Sequence, residues 1–117
     1  HYGAGIVNYD ASDNTTLYCL NVGDMTGVTT PIKNYPIANT DSSDLPNYYD
    51  SNKMGSTSVP YKGGTGKTTS ELKVDSAWDT SWTTTNWSFA AGRYPVPNIQ
   101  DNIPSEIWND IVVEAAK

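Results

Sequence analysis

The chain of 117 residues is short of reactive side chains: it has one cysteine, one histidine and one phenylalanine. Basic residues number seven against thirteen acidic ones, and only one of the seven, Arg93, is an arginine. Each shortage excludes something. Cys19 and His1 alone cannot assemble a Cys/His zinc site, and one cysteine cannot close an internal disulfide. A nucleophile–base couple would have to bring the chain-terminal His1 to Cys19 or to a serine, and a chain end is a poor place for a general base. With a net charge of −6 and no basic stripe, the chain does not suit duplex nucleic acid. No apolar run approaches the roughly 18 residues of a membrane-spanning helix, so membrane insertion is not expected.

What the chain does have is small, polar and aromatic. Thr (14), Ser (11) and Asn (11) are abundant, and Asp (10) far outnumbers Glu (3). These residues favour turns, caps and strands over long helices. Apolar residues are only 37% and mean hydropathy is −0.53. Four Trp and eight Tyr nevertheless separate the chain from disordered sequences, which are poor in aromatics. The balance reads as an acidic, β-rich, turn-rich domain of the kind common on secreted bacterial proteins. The abrupt start at His1 and the end at Lys117 read as a piece of a longer polypeptide.

Along the chain, residues 3–9 and 16–22 read as two strands around the turn cluster at 10–14, with Leu17, Cys19 and Asn21 on one face. Flanking apolar residues make Cys19 a buried small side chain rather than a nucleophile. Pro31 and Pro36 limit the next segments to edge strands or loops. Asn47 to Asp50 reads as a short strand, and residues 51–67, with Gly55, Gly63, Gly64 and Gly66, as a long loop with at most one short strand, Ser58 to Tyr61. Thr68 followed by Glu71 matches a capping box, which predicts a short helix over 68–73. Trp87 and Phe89 alternate with Ser88 as in a strand, and 98–104 is linker-like. Residues 105–116 read as an amphipathic helix capped by Ser105, with Ile107, Ile111 and Ala115 on one face. The β-prone Ile111-Val112-Val113 leaves a strand open as the alternative.

Motifs with chemical content fail on spacing. Gly63-Gly64-Thr65-Gly66-Lys67-Thr68 lacks the leading glycine of a phosphate loop, since Tyr61 stands there, and no apolar strand precedes it. Asp50-Ser51-Asn52-Lys53-Met54-Gly55 begins like a calcium loop, but Met54 and Tyr61 occupy ligand positions. A loosely held structural calcium at Asp10 and Asp13, or at Asp41 and Asp44, is the one cofactor left open. No spacing sets two carboxylates across a cleft, so catalysis is not expected. Asn14-Thr15-Thr16 and Asn86-Trp87-Ser88 match the glycosylation sequon, as chance provides in so polar a chain.

The aromatic residues admit two readings. Exposed Trp78, Trp82 and Tyr48 would form a stacking platform for glycan rings. Buried, they would be the core of a chain short of aliphatics. Five rings at about 150–250 Å² each remove roughly 750–1250 Å² from water, a gross gain of about 20–30 kcal/mol. The core reading is preferred, because backbone ordering has to be offset by something.

Two stretches carry a family resemblance. Gly3-Ala4-Gly5-Ile6-Val7-Asn8-Tyr9, followed by Tyr18-Cys19-Leu20-Asn21-Val22-Gly23-Asp24-Met25-Thr26-Gly27, resembles the GLUG repeat, with Ala4, Asn8 and Leu20 departing from its pattern. Residues 47–50, 63–73 and 87–95 look like the end of such arrays in surface proteins of gut Bacteroidota. The resemblance implies a mostly β fold: a β-solenoid-like terminal repeat over 1–27, an irregular β-rich cap over 28–97, and a linker with the start of a following segment over 98–117. It also implies a non-catalytic structural or adhesive module of a bacterial cell-surface protein. Such a module would contact neighbouring repeats of its parent, and glycans or surface proteins outside it. A carbohydrate-binding module and a self-associating filament or surface-layer subunit are the alternatives.

Overall fold

The computed structural model describes residues 2–4, 19–24, 33–35, 47–54, 64–80 and 82–117. The chain divides into two compact units, His1–Thr68 and Thr69–Lys117.

In the first unit, β1 (Tyr2–Ala4) pairs in parallel with β3 (Lys33–Tyr35), forming a two-stranded sheet. A second, three-stranded parallel sheet has β4 (Tyr48–Asp50) at its centre, between β2 (Leu20–Asn21) and β5 (Thr65–Lys67). A central parallel strand is covered on both faces, so it is buried continuously rather than alternately. Asn47, Tyr48, Tyr49 and Asp50 are all buried. Asn47 is satisfied by the neighbouring strands and Asp50 by the turn that follows it, as burial requires. Asn47 Oδ1 accepts the Cys19 N–H at 2.9 Å, and its carbonyl accepts the Thr65 N–H at 2.8 Å. The Asp50 carboxylate accepts the Asn52 N–H at 2.9 Å and caps a 3-10 turn over Ser51–Lys53. Gly63 to Gly66 was expected as loop, but Thr65–Lys67 joins the sheet because Tyr49 and Gly66 are register partners.

In the second unit, α1 (Thr69–Leu72) is a single turn that starts directly after Thr68, and it buries Leu72 completely. The short antiparallel pair β6 (Trp87–Ser88) and β7 (Val96–Pro97) follows. Gly92, at φ +82°, makes the turn between them, a conformation that a Cβ strains. Pro97 is tolerated in β7 because a two-stranded sheet consists only of edges. The linker-like segment is anchored: Asn98 Nδ2 donates to the Thr84 and Thr85 carbonyls at 3.4 and 3.3 Å, and a 3-10 turn spans Gln100–Asn102. The longest element is α2 (Ser105–Ala115). Its N-cap is Pro104, not Ser105, and no side chain caps it. Its half-buried face is Trp108, Ile111, Val112 and Ala115, whereas Ile107 is 50% exposed. The spacing i, i+3, i+4, i+7 is helical, and it overrides the β preference of the Ile-Val-Val run.

The expectation of a mostly β, solenoid-like terminal repeat is corrected by these elements. The described residues form small separate sheets of two- and three-residue strands together with helices, and the longest element is helical. The parallel register partners Tyr2 and Lys33, Leu20 and Tyr48, and Tyr48 and Thr65 lie 31, 28 and 17 residues apart.

Candidate functional site

The three residues expected to make a glycan platform do not present free rings. Trp82 is completely buried. Its indole stacks on Trp87, with centroids 4.4 Å apart and 29° between planes, and meets Trp78 at 4.8 Å and 48°. Phe89 closes the row edge-on against Trp78 at 5.9 Å. The turns around 79–87 bring the rings together: the Trp82 N–H donates to the Asp79 carbonyl at 3.2 Å, and the Trp87 N–H to the Thr83 carbonyl at 3.0 Å. Offset and tilted pairs at these separations gain energy beyond area burial. Trp78, Trp87 and Phe89 are half-buried.

Tyr48, in the other unit, is 7% exposed. Lys67 Nζ lies 5.4 Å from its ring centroid, in cation–π range. Tyr48 and Trp82 are therefore withdrawn as platform residues, because a sugar ring stacks only on an accessible face. Trp78 is half-buried. Trp78 and Trp82 belong to the second unit and Tyr48 to the first.

Other chemical groups are engaged elsewhere. Cys19 is partly buried, and this burial pushes its thiol pKa up, which lowers its thiolate fraction and reactivity. Alkylation by iodoacetamide at mildly alkaline pH is expected to be markedly slower for the folded protein than for the urea-unfolded chain, as followed by intact mass. Equal rates would contradict the burial. The raised value also means that the folded state holds the proton longer. Stability is therefore expected to fall as the pH climbs past the ordinary thiol value. Asp50, which opened the calcium-like run, spends its carboxylate on the 3-10 turn. Asp10, Asp13, Asp41 and Asp44 lie outside the described residues, as do Asn14 and Ser58 to Tyr61. Among the described residues, no group of three or more His, Cys, Asp or Glu comes together. No helix among them is long and apolar enough to cross a membrane.

Two residues that sequence reasoning left aside prove central in the second unit. Arg93 Nη2 donates to Ser88 Oγ at 2.8 Å, while its Nη1 is closed off from solvent without a hydrogen-bond partner. Lys73 ties three segments together. Its carbonyl accepts the Gly92 N–H at 3.2 Å. Its Nζ donates to the Ala116 carbonyl at 3.5 Å and lies 4.8 Å from the Tyr94 ring centroid. As the chain's single arginine, Arg93 was conspicuous in the sequence. Lys73 had no local signal, since all its partners but the adjoining turn are distant in the chain.

No protein-family model, curated protein or solved structure matches this chain.

Proposed function

We propose that this chain is a non-catalytic structural module of a larger secreted or cell-surface bacterial protein, a spacer that holds neighbouring segments of its parent. The observation that carries the reading is the inward turn of the aromatic side chains. Trp82 is fully buried against Trp78 and Trp87, and Tyr48, Tyr49 and Tyr94 are buried as well. Rings used for packing are not available for stacking on a ligand. The GLUG-like stretch over residues 18–27 supports the surface-protein setting, and its Leu20 and Asn21 pair with the buried strand β4. The array-cap version of the reading is dropped together with the solenoid.

A thermal-shift screen tests the proposal. Anything that binds only the folded state raises the melting temperature by mass action. A panel of neutral, acidic and amino sugars, nucleotides and divalent cations is expected to leave it unchanged. A saturable shift with one sugar class, abolished in Trp78→Ala with the near-UV spectrum otherwise retained, would replace the spacer reading with the carbohydrate-binding one.

A further inference from the structure

We propose that α2 is a hinged arm, fastened at its C-terminal end by Lys73, that opens independently of the rest of the Thr69–Lys117 unit. The helix has eleven residues, and none of them is buried. A helix of that length is marginal on its own in water, where roughly 12–15 residues are needed even for good formers. Its N-terminal end has no side-chain cap. Its hydrogen bonds to other elements gather at the other end, while Trp108, Ile111, Val112 and Ala115 give it a half-buried face. The Tyr94 N–H donates to the Ala115 carbonyl at 2.9 Å, and Lys73 Nζ reaches the Ala116 carbonyl at 3.5 Å. These are carbonyls that a helix leaves without intrahelical partners. The same ammonium lies over the Tyr94 ring at 4.8 Å.

A cation at a helix C-terminus is favoured by the macrodipole, and an aromatic face beneath it adds a second attraction. One charge thus serves two contacts, and both are lost when it is removed. Opening exposes the stripe Trp108, Ile111, Val112 and Ala115, half-buried in the closed arm. Near the fastened end Val113 is 56% exposed and adds little packing there. The device is a charge-held strap, and neutralising Lys73 is what releases it.

Residue-resolved hydrogen exchange on the full chain tests this. In the unaltered protein, amides within α2 are expected to exchange through an opening more frequent than the one that exposes Trp87 and Asn98. The Tyr94 amide, which donates to Ala115, should exchange with α2 and not with the strands. Lys73→Met should speed α2 exchange about fivefold, within the range of one terminal charge plus one cation–π contact, and leave Trp87 and Asn98 unchanged. Lys73→Arg, which keeps the charge, should restore most of the protection. One common exchange rate for α2, Trp87 and Asn98 in the unaltered protein overturns the arm. Lys73→Met accelerating all amides alike, or none, overturns the latch. The comparison within the unaltered protein needs no variant, so it stands even where Lys73→Met fails to fold.

Discussion

Trp82→Ala is expected to shift the unfolding transition of the Thr69–Lys117 unit to much lower denaturant or to remove it. Trp82 is fully buried and is the central ring of the row, in contact with both Trp78 and Trp87. Truncating a buried tryptophan to alanine costs about 3–5 kcal/mol, because the lost transfer energy is joined by an unfilled cavity. Small domains hold only about 5–15 kcal/mol in total, so such a loss takes a large share of this unit's stability. The two outer indoles would also lose the ring between them, and a hole of that size does not close without moving β6.

The sequence supplies its own reporters for the measurement. All four tryptophans, Trp78, Trp82, Trp87 and Trp108, lie in the second unit, whereas seven of the eight tyrosines lie in the first. Tryptophan fluorescence therefore follows one unit, and tyrosine signals mainly the other. Urea titration of Trp82→Ala should show a tryptophan transition shifted to much lower denaturant or absent. The coupled indoles should also lose intensity in near-UV circular dichroism. A midpoint within experimental scatter of the unaltered protein would mean that the ring row is not the core of this unit.

Gly66→Ala should have the largest effect in the first unit. A Cβ built at Gly66 would lie 2.8 Å from Tyr49 Oη and 2.9 Å from Cζ, closer than real Cβ atoms come to a neighbour. Tyr49 and Gly66 are register partners in β4 and β5, and Tyr49 is only 6% exposed. The ring lies across the glycine and shields a backbone that no side chain covers. It cannot swing outward without surrendering its own burial. Overpacking of this kind typically costs about 1–3 kcal/mol. The clean experiment is a double-mutant cycle with Tyr49→Leu. Once the ring is gone, Gly66→Ala should cost much less, giving a coupling of about 0.5–3 kcal/mol. Additive effects in the cycle would show that the ring and the glycine do not meet.

Parts of this architecture were legible locally. Turn chemistry marks the end of β2, where Asn21 Oδ1 accepts the Gly23 N–H at 2.8 Å. The strand at 47–50 stands out because two tyrosines sit between residues that favour turns. The helical start after Thr68 follows from its spacing to Glu71. The candidate site was legible only as a list of rings, since composition cannot say which face of a ring meets water. Trp78, Trp82 and Tyr48 look alike in sequence, yet one is half-buried and two are closed in.

The amino-acid order by itself determined that aromatic side chains must supply the core, because the chain has few aliphatic residues with which to build one. It also placed short elements between closely spaced turn residues. Only tertiary packing decided the remainder: that β4 lies between β2 and β5, that Gly66 joins a strand beneath Tyr49, and that Lys73 holds the end of α2. Turns and caps are set by interactions within a few residues, so they can be read along the chain. Parallel pairing and ring burial depend on partners far apart in sequence, whose contacts exist only after the chain has folded.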